Sequence, residues 1–224
     1  MIDSGDSAGG NLATAVTMRL TQLPLPAKPV AQVLIYPTLQ VFDVQLPAFQ
    51  QNAGKMFLSL EEIVIHYITL MGESWDLIGP IAANNHTTST MKADFAHIFD
   101  VQLLPERYRP THYQKYMGDG QPDVVERVRK YILDPFFTPL IAPPELVRGL
   151  PDTYILTGGH DPLRDDGFLY AKKLEGEGIR VQLVDYPDAY HAFLYQFEGP
   201  FATKLAGRAF DEVVTYLKTK LDSK

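Results

Sequence analysis

The chain has 224 residues, of which 46% are hydrophobic and 21% charged, the profile of one soluble globular domain rather than of a disordered or fibrous protein. With 20 Lys plus Arg against 27 Asp plus Glu, its net charge of -7 supplies no basic patch for phosphates, so no nucleic-acid partner is expected; without cysteine, disulfides and thiolate metal sites are excluded. The longest apolar runs, VAQVLIYPTL and EEIVIHYITLM, fall short of the ~20 residues that span a bilayer, and Met1 opens no secretory signal pattern.

The first predicted element is a helix from about residue 7 to 21, with Leu12, Ala15, Val16, Arg19 and Leu20 spaced for one inward face. The proline-punctuated LPLPAKP closes it, and residues 30 to 36 (VAQVLIY) then read as a buried parallel strand. Residues 38 to about 133 read as a lid-like insertion. It contains a helix with Ser59 as N-cap and Glu61 and Glu62 in its first turn, and further helices are expected near 92 to 99 and 123 to 132. His66, within an apolar stretch of the first of these helices, is expected in the core. Regular patterning then resumes: a strand at 153 to 157 (TYILT), a helix from about 164 to 177 stopped by Gly178, and a strand at 181 to 186. The last element is an amphipathic helix from about 203 to 221, with Leu205, Phe210, Val213, Val214 and Leu217 facing inward. Strands alternating with helices imply an α/β fold built on a mostly parallel sheet.

Gly5-Asp6-Ser7-Ala8-Gly9 fits G-x-S-x-G, the turn that exposes a nucleophilic serine between a strand and a helix. Because a helix pattern follows at once, the Ala8 N-H is directed to where an oxyanion forms. The pentapeptide alone arises by chance in roughly one chain of this length in ten. What strengthens it is the order of partners: Asp161 follows one strand and its Gly158-Gly159 turn, and His191 follows the last strand. In that order Ser7 attacks an acyl carbon, His191 carries its proton, and Asp161 orients the imidazole. Asp165 and Asp166, at a helix start, are expected to serve capping and the helix dipole. His160 precedes the last strand and is set aside as a base; His86, His97 and His112 have no metal-ligand spacing, and neither metal nor other cofactor is expected. Tyr186 and Tyr190, flanking the His191 loop, either line a pocket or pack. The aromatics Tyr67, Trp75, Phe95, Phe99, Tyr108, Tyr113 and Phe136 favour an apolar acyl or sterol pocket and a small lipophilic ester as the bound partner.

GDSAGGNLA at 5 to 13, LIYP at 34 to 37, YILTGGHDPLRDDG at 154 to 167 and YHAF at 190 to 193 together resemble the hormone-sensitive-lipase group of α/β-hydrolases. The resemblance covers nearly the whole chain and implies Ser7, Asp161 and His191 as catalytic triad of an enzyme that hydrolyses lipophilic carboxylic esters or acyl amides. It further implies a parent protein anchored in the endoplasmic reticulum membrane with its catalytic part lumenal, and the sequon Asn85-His86-Thr87 agrees with that setting. Members of the group carry an HGGG motif about a hundred residues before the nucleophile, and none occurs in this sequence, which leaves Ala8 as the remaining oxyanion donor. The expectation is therefore of a truncated product with a stub of a first strand, a long exposed apolar sheet edge, and impaired catalysis or, at most, ester binding.

Overall fold

The computed structural model of the chain describes residues 1–222 except 56 and 114. Its sheet has four strands in sequence order, β1 (Ile2–Asp6), β2 (Ala31–Ile35), β3 (Asp152–His160) and β4 (Val181–Tyr190), all paired in parallel. Parallel neighbours need a crossover, supplied by α1 (Ala8–Gln22) between β1 and β2 and by α8 (Arg164–Gly176) between β3 and β4. The closing helix α9 (Lys204–Asp222) covers the opposite face. Tyr154 and Leu156 of β3 pack with Ala206, Ala209, Val213 and Tyr216 of α9, whereas the intervening Ile155 joins Phe168, Leu169 and Leu174 of α8. Burial on both faces is why the central strands read as continuous apolar runs rather than alternating ones.

Several sequence expectations shift. The buried face of α1 is Gly10, Ala13, Thr14, Thr17, Met18 and Thr21, while Leu12 and Val16 are 58% and 47% exposed. Close approach to the sheet selects small side chains there, so the larger apolar residues mark the wrong side. On α9 the fully buried residues are likewise Ala206, Ala209, Val213 and Tyr216, with Leu205, Phe210, Val214 and Leu217 only half-buried beside them. Strands β3 and β4 run on to His160 and Tyr190, beyond the expected ends, because Gly158 and Gly159 let β4 come close: a Cβ at Gly159 would stand 2.1 Å from Pro187 O. The outer edge of β1 is short, and its sequence IDSGD carries two aspartates; it is not the long apolar edge expected.

Between β2 and β3 the described residues form helices and turns: α2 (Pro47–Asn52), α3 (Leu60–Met71), α4 (Ile78–Ala82), α5 (Ser89–Asp94), α6 (Pro122–Ile132) and α7 (Pro144–Val147). The capping box of Ser59 and Glu62 starts α3, and Gly72 in the left-handed region ends it. The helix expected near 92 to 99 is α5, ending at Asp94 and followed by turns. His66 is exposed, because α3 buries Ile63, Val64, Tyr67, Ile68 and Met71 and His66 falls outside that stripe. In the sequon, Asn85 is half-buried while His86 and Thr87 are fully buried; His86 Nε2 lies 2.6 Å from Val41 O, and burial pushes its pKa down to about 4.

Asp165 and Asp166 do more than complement the N-terminus of α8. Both are fully buried: Asp165 accepts from Ala48 N at 2.7 Å and pairs with Arg164, and Asp166 accepts from Leu39 N at 2.9 Å and Gln40 Nε2 at 3.0 Å. They clamp residues 39 to 48 onto the first turn of α8. Burial outweighs these hydrogen bonds and pushes the Asp166 pKa up to about 7. A folded-state pKa above the unfolded one means that folding takes up a proton: this contribution is full below about pH 4 and lost as pH rises through about 7. Asp166→Asn cannot ionise. Urea unfolding at pH 5 and pH 8 is therefore expected to show a steeper loss of stability with rising pH in the unmodified chain than in Asp166→Asn; equal slopes would contradict the assignment.

Candidate active site

Strand β1 ends at Asp6 and α1 begins at Ala8, so Ser7 alone turns the chain, at φ 53° and ψ -123°. A non-glycine residue with positive φ costs on the order of 1–3 kcal/mol and persists only where its surroundings enforce it. Here Ser7 N donates to Ile35 O at 2.9 Å, and Ser7 O accepts from Gly10 N at 3.0 Å and Thr38 N at 3.1 Å. Glycine is needed at 5, where a Cβ would stand 2.1 Å from Gly9 O, and at 10, where it would stand 2.7 Å from Pro37 Cβ. At Gly9 a Cβ meets only Asp6 Oδ1, at 3.9 Å, so the glycine that the turn demands after Ser7 is Gly10, one place beyond the pentapeptide. The Ala8 N-H opens the first turn of α1, where amides have no intrahelical acceptor.

The three residues singled out in the sequence meet. His191 Nε2 lies 3.0 Å from Ser7 Oγ, and its Nδ1 lies 2.9 Å from Asp161 Oδ2. With Nδ1-H donating to the carboxylate, Nε2 carries the lone pair that faces the serine. Asp161 is fully buried and His191 nearly so. The other carboxylate oxygen of Asp161 accepts from Leu163 N at 2.8 Å, and Asn52 Nδ2 donates to Asp161 O at 3.1 Å. Arg164 fixes the same turn by donating to Gly159 O at 3.0 Å, to Gln51 Oε1 at 3.1 Å and to Asp165 Oδ1. Across the imidazole, the Tyr36 ring meets His191 edge-on at 4.9 Å, and Ala192 turns the chain away at φ 64°.

Other candidates fall elsewhere. His160 is exposed on the end of β3, and Tyr186, bonded through its hydroxyl to Glu212 at 2.7 Å, packs against Phe193. Tyr190 stacks on Phe57. Of the aromatics in the long connection, Tyr67 lines a pocket that Ser7 also lines; Phe99 stacks on Phe42 in the core, Trp75 is exposed, and Tyr108 packs against Phe168 and the Arg164 guanidinium. Beside Ser7 and Ala8 lies a small pocket of about 70 Å³, walled by Thr38, Leu58, Ile63, Tyr67, Leu70 and Leu163, with His66 at its side. Sequence reasoning missed Thr38, Leu163 and Asn52: no motif marks Thr38 or Asn52, which reach the site through tertiary contacts, and Leu163 stands within the segment 154 to 167, where its amide bonds Asp161. A larger cavity of about 470 Å³ lies between residues 95–103 and α8 and is lined by none of Ser7, Asp161 and His191.

Residues 3–99 and 106–195 match a family model described as the α/β hydrolase fold. Rat neutral cholesterol ester hydrolase 1 is 34% identical over 222 residues, covering 97% of this chain and 54% of its own length. Bovine arylacetamide deacetylase is 35% identical over 224 residues, with coverage of 97% and 54%. The chain thus spans about half the length of these curated relatives. Among solved structures, an esterase from the fungus Rhizomucor miehei superposes with a TM-score of 0.64 at 22% identity, over 99% of this chain and 52% of that one, a likeness of fold. With a parallel sheet crossed by helices and a family model matched over most of its length, the chain belongs to the α/β-hydrolase fold family.

Proposed function

We propose that this chain carries the nucleophile, base and acid of a serine hydrolase that cleaves lipophilic carboxylic esters through an acyl-enzyme. The observation that carries the reading is the unbroken hydrogen-bonded line from Ser7 Oγ through His191 to Asp161, at the start of a helix whose first amide is free to donate. Ser7 Oγ forms a bond to the acyl carbon while its proton passes to His191 Nε2. The carbonyl oxygen takes up negative charge facing the Ala8 N-H. On collapse, the carbon–oxygen bond to the alcohol breaks and His191 returns the proton to the departing oxygen. Water, deprotonated by His191, then attacks the acyl carbon; the acid leaves and Ser7 regains its proton. Asp161 holds the imidazole tautomer and stabilises the imidazolium in both halves.

Lipophilic esters are favoured by the apolar walls beside Ser7 and by the named activities of the relatives, which concern a cholesterol ester and an arylacetamide. The family resemblance adds association of the full-length parent with the endoplasmic reticulum membrane, on its lumenal side, as part of this reading; no helix among the described residues is long and apolar enough to cross a membrane. A second reading is a protein that binds esters without turning them over; it differs from the first in whether Ser7 reacts, and the oxyanion donor that the described residues place beside Ser7 is the first amide of α1. Loss of one oxyanion donor lowers turnover by about 10² to 10³.

Hydrolysis of p-nitrophenyl butyrate separates the two. The expected result is turnover that Ser7→Ala abolishes and that Asp161→Asn lowers by about 10⁴ in kcat, through the wrong imidazole tautomer. Ester binding without Ser7-dependent turnover would support the second reading, and turnover retained by Ser7→Ala would exclude the first.

A further inference from the structure

The cavity between residues 95–103 and α8 shares no lining residue with the pocket beside Ser7, and its chemistry is of another kind. Its volume of about 470 Å³ falls within the ~300–1,000 Å³ usual for small-molecule sites. Phe95, Ile98, Leu103, Ile141 and Leu169 give it apolar walls, and Ile141 and Leu169 are buried in the main core, so that side is firm. The polar side chains along it are His97, Lys172, Lys173 and Glu177. Two of these are already engaged: Lys172 Nζ donates to Glu175 Oε2 at 2.8 Å, and Glu177 Oε2 accepts from Arg148 Nε at 2.7 Å. His97 lies exposed. Lys173 differs from all three. It is half-buried, and among the described residues its ammonium has no hydrogen bond and no carboxylate within 4.0 Å; Glu177, one turn on, acts on it only through space.

Burial pushes the Lys173 pKa below the usual lysine range, and the charge of Glu177 offsets this only in part. An ammonium so placed is stabilised by an anion brought within hydrogen-bond distance, because a charge-assisted pair in a partly dry site is stronger than a neutral bond. One unengaged cation beside apolar walls selects a monovalent anion with an apolar body. Phosphate, with higher charge and several acceptor oxygens, calls for a cluster of donors that the lining does not hold. We infer that this cavity binds a lipophilic carboxylate, with its carboxylate on Lys173 Nζ and its hydrocarbon chain along Phe95, Ile98, Leu103, Ile141 and Leu169. The acid that the proposed reaction releases is of this class, although binding here rests on the cavity alone.

Calorimetric titration of the full chain with octanoate tests this, with octan-1-ol as the uncharged control and inorganic phosphate as the control without a chain. Saturable binding of octanoate is expected, with octan-1-ol about tenfold weaker and no binding of phosphate. Lys173→Met keeps the length of the side chain and removes its charge; it is expected to weaken octanoate about tenfold and to leave octan-1-ol unchanged. Leu103→Trp, at the partly exposed rim, fills the cavity and is expected to weaken both ligands about tenfold. Reductive methylation of the lysines with a carbon-13 label, which keeps their charge, places the ligand by NMR: the signal missing from Lys173→Arg is that of Lys173, and octanoate is expected to shift it. Absence of saturable octanoate binding, octan-1-ol or phosphate bound as tightly as octanoate, an unchanged affinity in Lys173→Met, or a Lys173 signal that octanoate does not move would each overturn the inference. None of these readouts involves turnover, so failure here leaves the serine-hydrolase reading standing, and failure of that reading leaves this site standing.

Discussion

Ser7 sits in a backbone conformation that an L-residue adopts only under constraint, and the constraint comes from the sheet. Ser7 N donates to Ile35 O, the last residue of β2, and Tyr36 N, just beyond it, donates to Leu156 O on β3. The turn that exposes the hydroxyl is thus pinned to β2, which is pinned in turn to the strand leading to Asp161. Gly5 and Gly10 allow the chain to fold against itself and against Pro37 without a clash. A methyl group at either position would separate the helix from the turn. The free amide of Ala8 and the placement of Ser7 Oγ near His191 follow from the same bend.

The acid is held by a second set of bonds. Asp161 lies beyond the end of β3, and the residues after it carry Arg164, Asp165 and Asp166 inward rather than to solvent. Three buried carboxyl groups, of which only Asp165 pairs with Arg164, would be costly without donors, because burying a charge is unfavourable unless it is paired and hydrogen-bonded. The donors come from the long connection: Leu39 N, Gln40 Nε2 and Ala48 N bind the two later carboxylates, and Asn52 reaches the Gly159 and Asp161 carbonyls. Residues 39 to 52 are therefore part of what fixes the acid. The same connection brings α3 over Ser7, so one segment both holds Asp161 and walls the pocket beside Ser7.

Much of this was legible in the sequence. G-x-S-x-G before a helix pattern, an aspartate after one strand and a histidine after the next place Ser7, Asp161 and His191 without any structure, because strand ends and helix starts leave local marks. What stayed hidden depends on distance in space. The periodicity of α1 pointed to Leu12 and Val16, yet Gly10, Ala13 and Thr14 face the sheet, since the closeness of a helix to a strand is not written in hydrophobicity. Asp165 and Asp166 looked like helix-start acids because their partners lie 117 to 127 residues away. His66 was placed inside by an apolar neighbourhood, but its rotation on α3 leaves it exposed at the side of the pocket.

The central claim is that Ser7 is an activated nucleophile whose reactivity depends on His191 and Asp161. A fluorophosphonate probe measures this directly, since it phosphonylates a serine that a neighbouring base deprotonates, and peptide mass spectrometry locates the modified residue. The account predicts a single adduct on Ser7, lost in His191→Ala and strongly slowed in Asp161→Asn. No adduct on Ser7, or one that forms equally fast without His191, would contradict it.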